Sequence, residues 1–197
     1  MNNIIDTVVL RVMAFAHPEG LNILLEALNA SSARLPSEVY NLDEDDCSLK
    51  GKDLSELAKG LRYAKREGRR VWLSNAEQLS QHFQQGTLII ETLSLEEIEE
   101  RVNIELQYKI GTGESACLVL ARRYQALAVF LSSDKKACKI AEGIGISYLT
   151  LQDIIEIWVE QKQPTLEELN FLVNGMENAN FRLPGNFLEQ LRQRCQP

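Results

Sequence analysis

Apolar residues along this chain fall into short continuous runs that alternate with longer stretches of helical spacing, the pattern of a parallel sheet covered by helices. The opening run, Asn3-Ile4-Ile5-Asp6-Thr7-Val8-Val9-Leu10, reads as a buried strand passing into a loop or helix. Leu21, Leu24, Leu25 and Leu28 recur at helical spacing, and Ala33-Arg34-Leu35-Pro36 suits a short second strand. A helix opening at Pro36 or Ser37 is expected to run through Glu38, Val39 and Leu42. Asp53-Leu54-Ser55-Glu56 places a capping residue three positions before an acid and predicts a helix to Gly68. Val71-Trp72-Leu73 reads as a short strand, Asn75 to Gln85 as a helix closed by Gly86, and Thr87 to Leu93 as a β-branched strand.

The second half is better punctuated. Ser94-Leu95-Glu96-Glu97, Thr150-Leu151-Gln152-Asp153 and Thr165-Leu166-Glu167-Glu168 are capping boxes, each announcing a helix. Gly113 to Tyr124 is expected to be a core helix. Leu127-Ala128-Val129-Phe130-Leu131 is the most continuous apolar run of the chain, as befits the centre of a parallel sheet. Asp134 begins a further helix, and Ile144 to Ser147 reads as a last short strand. The 197 residues fit a single domain, 1–197, with 164–194 as a C-terminal helical extension packed on it.

Composition narrows the setting. No apolar run approaches the roughly 20 residues that span a bilayer, and no basic segment precedes the first one, so a cytoplasmic location without a membrane partner is expected. None of the four cysteines forms a C-x-x-C pair, and with only two histidines a zinc site is disfavoured. Hard ions such as Mg²⁺ and Mn²⁺, which take carboxylates and water, remain compatible. The net charge of −7 runs against a dedicated nucleic-acid binder, so such a function would need bound cations and a local basic patch.

Three carboxylates stand out. Asp6 lies inside an apolar run, where an ionised group needs pairing or a metal, or else marks the strand end and caps the next element. Glu114 follows Gly111-Thr112-Gly113 in a first helical turn, where the macrodipole favours it without further purpose; the flanking glycines let that turn approach another element closely. Asp134 follows the central strand, and in open α/β sheets ligands bind outside the carboxyl ends of strands. If the three converge, a divalent cation is the natural way to neutralise them.

The order and surroundings of these residues resemble the PIN-domain family, which includes the VapC-type toxins and a related bacterial subgroup. Ile4-Ile5-Asp6-Thr7-Val8-Val9-Leu10 is similar to the family's first strand with its leading aspartate. Gly111-Thr112-Gly113-Glu114-Ser115-Ala116 is similar to its glycine-flanked helix start, and Leu131-Ser132-Ser133-Asp134-Lys135-Lys136-Ala137 to its late aspartate segment. Ile140 to Ile146 continues that segment, and Ala179-Asn180-Phe181-Arg182-Leu183-Pro184 resembles a common ending. The resemblance implies a Rossmann-like three-layer α/β/α sandwich and Mg²⁺- or Mn²⁺-dependent cleavage of RNA. By the same analogy Asp6, Glu114 and Asp134 are catalytic metal ligands, and a small antitoxin protein is a partner. One family acid is missing: Pro36-Ser37-Glu38-Val39-Tyr40-Asn41-Leu42 places Leu42 at the usual acidic position. Asp43 or Glu38 would have to substitute, although a one-residue shift turns a helix face by about 100°.

On this reading one ion is held chiefly by Asp6 and Asp134, with Glu114 completing its shell or helping to hold a second. Thr7 and Ser132 orient ligands, and Lys135, Lys136 and Lys139 draw substrate phosphates. Arg62, Lys65, Arg66, Arg69 and Arg70 form a second basic group, equally readable as a solvated helix face. The rival is a catalytically degenerate PIN-like domain binding RNA or protein, favoured by Leu42 and the acidic charge. A flavodoxin-like phosphate binder has less support, since no G-x-G-x-x-G or P-loop lysine is present. A homodimer through Leu169, Phe171, Leu172 and Phe187 stays open, beside the plainer reading that these residues pack on the home core.

Overall fold

The computed structural model describes residues 1–40 and 55–195. Five strands, β1 (Asn2–Ile5), β2 (Ala33–Pro36), β3 (Leu88–Glu91), β4 (Ala128–Leu131) and β5 (Ser147–Leu149), form one sheet. Its order is β3-β2-β1-β4-β5 and every pairing is parallel. The helices are α1 (Thr7–Ala16), α2 (Gly20–Ala27), α3 (Glu56–Arg66), α4 (Arg70–Ala76), α5 (Gln78–Gln84), α6 (Leu95–Tyr108), α7 (Thr112–Tyr124), α8 (Lys135–Gly143), α9 (Leu151–Lys162), α10 (Leu166–Asn178) and α11 (Gly185–Arg194). The expected α/β sandwich with a parallel sheet is what the chain forms.

The strand order creates the place where a site belongs. From β1 the chain steps outward through β2 to β3, then returns to the other side of β1 for β4 and β5. The connections leaving β1 and β4 therefore part company, and a crevice opens beyond the carboxyl ends of these two central strands. β1 and β4 are in register from Asn2↔Ala128 to Ile5↔Leu131, so Asp6 and Ser132 leave the sheet side by side. The amide of Asp6 donates to the Leu131 carbonyl at 3.0 Å, extending the ladder by one bond into the crevice.

Packing holds that edge in place. β4 is buried along its whole length, and Ile4, Ile5, Leu35, Phe130 and Leu131 sit in one apolar cluster with Leu118 and Leu120 of α7. α7 lies against β1, β2 and β4, and α1 packs against α2, α3, α4 and α10. Leu169, Leu172 and Met176 of α10 belong to the same cluster. The approach of α10 to α1 is close: a Cβ at Gly175 would run into the backbone carbonyl of Ala16.

Some elements differ from the pattern reading. The opening run is not among them: its strand stops at Ile5 and passes into a helix that Asp6 caps, one of the two readings it allowed. Val71-Trp72-Leu73 lies within α4, not a strand. Trp72 and Ala76, one turn apart, bury the same helix face, and Trp72 stacks on Phe15 at 5.6 Å between ring centroids. The last strand is shifted to Ser147–Leu149, since Gly145 at φ +77° turns the chain out of α8 first. Residues 37–39 form a turn and not the start of a helix; Leu42 and the cap at Asp53 lie outside the described residues. α3 is capped by Ser55, whose hydroxyl accepts from the Ala58 amide at 3.4 Å.

Candidate active site

Asp6 is fully buried at the end of β1, and both readings of it hold at once. It caps α1, accepting from the Thr7 amide on Oδ1 at 2.6 Å, and it is a carboxylate inside the protein. Its other oxygen, Oδ2, accepts from the Ser132 hydroxyl at 2.8 Å. Burial pushes its pKa up to about 7, opposed by those two hydrogen bonds and reinforced by the charges of Glu114 and Asp134. Among the described residues no cation pairs with it.

Ser132 joins the two aspartates. Itself fully buried, it donates to Asp6 and accepts from the Asp134 amide at 3.1 Å. Asp134 caps α8, taking the Ala137 amide on Oδ1 at 2.7 Å, which leaves Oδ2 with no hydrogen bond of its own among the described residues. Ser133 accepts from the Leu151 amide at 3.0 Å and so ties this turn to the start of α9.

Glu114 enters from α7. Its carboxylate folds back over Gly111, the residue preceding the helix, so closely that a Cβ there would collide with it. A side chain at 111 would make the Glu114 carboxylate swing aside from this position. Two buried cysteines sense the same acidic field: Cys117 is raised by burial and by Asp6, Glu114 and Glu38, and Cys138 is pushed up to about 11 by burial, Asp134, Asp6 and Asp153. Such thiols are inert small hydrophobes.

The remaining expectations divide. Thr7 lies at the start of α1 with Oγ1 buried and without a hydrogen-bond partner, beside Asp6. Lys135, Lys136 and Lys139 are exposed on α8, and Lys136 donates to the Lys109 carbonyl at 2.9 Å. Asp43 lies outside the described residues. Glu38 is half-buried after β2 but faces Arg101 at 3.7 Å, which also pairs with Glu105. The distal basic group is exposed, with Arg66 bonded to Glu67 at 2.9 Å and lying over Tyr63, and Arg69 over Trp72.

Sequence reading passed over Arg11. It stands one turn after Thr7 in an otherwise apolar helix, the same kind of anomaly that drew attention to Asp6, and its Nε is buried without a partner. With a loop or a helix both open after Asp6, the spacing that puts Thr7 and Arg11 on one face was not drawn out.

The donors suit a hard divalent cation: oxygen only, mutually repelling, with an orphaned hydroxyl alongside. Among the described residues no three His, Cys, Asp or Glu side chains are close enough to make a finished metal cage. The acids are near enough to press on Asp6 without yet closing on a common point.

An open parallel sheet with an acidic crevice at its switch point defines the class as a Rossmann-like α/β sandwich. The sequence model of the PIN domain matches residues 67–197, and the chain belongs to the PIN-domain family. PIN domains are generally nucleases that act on RNA and typically use divalent metal ions. The match takes in Glu114 and Asp134, while Asp6 precedes it. No curated protein matches the chain. Among the described residues no helix is long and apolar enough to cross a membrane.

Proposed function

We propose that this protein is a divalent-metal-dependent endoribonuclease, with Asp6, Asp134 and Glu114 as the carboxylates of its active site. The observation that carries the reading is Asp6: a wholly buried acid, pressed by two further acids, with no cation paired to it among the described residues. A folded chain keeps so costly an arrangement where a ligand of opposite charge completes it.

Asp6 and Asp134 would hold the cation, and Glu114 would complete its surroundings. Mg²⁺ or Mn²⁺ bound there supplies a water of lowered pKa and neutralises charge on the scissile phosphate. The chain's own contribution is orientation. Ser132 fixes one oxygen of Asp6 and, through the Asp134 amide, the start of α8, so the two aspartates move as one unit. Thr7 Oγ1, buried and unsatisfied, is free to donate to a ligand or a phosphate oxygen. Lys135 and Lys139, exposed on the first turns of α8, add positive potential on the approach. The same site in a toxin would be the target of an antitoxin segment.

A second reading has its own support. The want of a finished three-acid cage among the described residues, and the engagement of Glu38 by Arg101, favour a PIN domain that binds RNA or protein without cutting. Cleavage of end-labelled single-stranded RNA in Mn²⁺ or Mg²⁺, beside Asp134→Asn, separates the two. Metal-dependent products that disappear in the variant support the nuclease. Intact RNA with folded wild type in both metals, free of any co-purifying partner, moves the assignment to the binding module.

A further inference from the structure

A cleft of about 500 Å³ opens directly beside the carboxylates and shares Thr7 and Glu114 with them. One wall is the face of α1 bearing Thr7, Arg11 and Phe15, spaced four residues apart; the other is α3, bearing Lys59 and Tyr63 at the same spacing. Gly60 lies between the walls, where a Cβ would meet the Arg11 stem at 3.7 Å and the Phe15 ring at 3.8 Å, ordinary contact distances.

The lining alternates cation and aromatic. Arg11 comes first after the acidic site, its Nε buried with no hydrogen-bond partner among the described residues. Lys59 brings a second positive charge. The floor is the Phe15–Trp72 stack, its planes within 22°, and Tyr63, a residue 42% exposed, stands at the mouth with Arg66 over one face of its ring. A buried guanidinium edge left unsatisfied in a cleft suits an anion with several acceptor oxygens. An exposed ring one step further suits a flat, unpaired base. Their sequence away from the carboxylates is that of a nucleotide strand, phosphate and then base.

We propose that this cleft is a subsite for single-stranded RNA, in which Arg11 takes the phosphate next to the scissile one and Tyr63 stacks an adjoining base. The proposal deepens the nuclease reading and rests on it for its direction along the strand. It would also let a chain of net charge −7 meet RNA, because two cations, Arg11 and Lys59, line the cleft. A duplex keeps its bases stacked and offers Tyr63 none, so single strands are preferred.

Binding is measured apart from cleavage, by fluorescence anisotropy of a labelled single-stranded oligoribonucleotide with full-length protein in EDTA. Arg11→Met, which keeps the aliphatic stem, is expected to weaken binding about tenfold or more, and Arg11→Lys to recover part of it. Tyr63→Ala, at an exposed position that leaves the fold intact, is expected to weaken binding about tenfold; a duplex of the same sequence binds less well than the single strand. Asp134→Asn should bind like wild type while failing to cleave. Equal binding by wild type, Arg11→Met and Tyr63→Ala overturns the subsite and leaves the nuclease standing. Arg11-dependent binding without cleavage in any metal keeps the subsite and removes the nuclease. No saturable RNA binding, with Arg11-dependent capture of a glutamate-rich peptide instead, overturns it in favour of a protein ligand.

Discussion

Two carboxylates at the ends of parallel strands have opposite surroundings. Glu91 closes β3 and is met by everything an anion needs: Arg34 from the neighbouring strand, Arg123 at 2.6 Å, and the Tyr124 hydroxyl at 2.6 Å. Arg123 is shared with Glu97 at 2.5 Å. Burial alone would raise Glu91, yet Tyr124, Arg34 and Arg123 together hold it below the ordinary glutamate range. Asp6, at the end of β1, is buried more deeply, has two neutral donors, and has acids where Glu91 has arginines. The chain can supply guanidinium groups at a strand end and does so at β3. Among the described residues none pairs with Asp6 at β1, where the sheet changes direction, and on the proposed reading that separates a charge that holds the fold from one kept for a ligand.

Substituting each acid by its amide should therefore give opposite results, and Asp6→Asn should give the largest. RNA cleavage is expected to fall by at least about 100-fold, read as initial rate with Mn²⁺. Metal-free protein should at the same time become more stable. An asparagine can still accept the Thr7 amide on Oδ1, its Nδ2 would donate to the Ser132 oxygen in place of the bond that Asp6 Oδ2 accepts, and it carries no charge to bury. The sign comes from the raised pKa. A folded-state value of about 7 against 3.8 favours the protonated native state, so stability is fully present below pH 4 and is lost as pH rises toward 7. The gain in Asp6→Asn should thus be near zero at pH 4 and reach on the order of 2–4 kcal/mol at pH 8 in EDTA. Denaturant unfolding across that range checks it, and a variant less stable than wild type at pH 8 breaks the comparison.

The next effect comes from the cation itself. Mg²⁺ or Mn²⁺ at millimolar concentration should raise the Tm of wild type at pH 8 by several degrees, and that of Asp6→Asn by little, since a ligand that binds only the folded form stabilises it by mass action. Equal shifts in both proteins would place the ion elsewhere. Glu91→Gln should show no metal effect of its own and should cost about 1–2 kcal/mol at pH 7, because Arg34 and Arg123 lose their partner.

How much of this was legible beforehand depended on whether the signal was local. Capping boxes at Ser94, Thr150 and Thr165 involve residues three apart and appear in the structure as written. The continuous run at β4 announced the sheet centre. Asp6 was visible because a charge among apolar residues needs a reason, and a strand end with a cap was one of its two readings; that a helix and not a loop follows was not decided, since Val8, Val9 and Leu10 suit a strand or a buried helix equally. Trp72 looked like strand for the same reason, and only its stacking on Phe15 decides otherwise. Ser132 was named for its position; that one hydroxyl links both aspartates is a matter of strand register, which spacing does not carry. The Glu91 cluster joins residues 34, 91, 97, 123 and 124, and nothing in the chain's order brings those together.

Tyr124→Phe sharpens the contrast with the smallest change, one oxygen. In wild type the hydroxyl donates to Glu91 Oε1, and burial followed by this bond to Glu91 raises the tyrosine pKa. Arg34 lies over the same ring, 5.3 Å from its centroid, a contact that phenylalanine retains. The loss is then confined to one charge-assisted hydrogen bond at a partly buried carboxylate that keeps two arginines, a cost of about 1 kcal/mol at pH 7. Because the folded-state pKa of Glu91 is depressed, its contribution is present above the ordinary value of 4.5 and lost as pH falls through the lower, folded one. The gap between Tyr124→Phe and wild type should therefore close in acid, where the gap for Asp6→Asn also closes but from the other side. A Tyr124→Phe deficit that stays constant from pH 7 down to pH 3 would mean that the hydroxyl serves packing and not the charge.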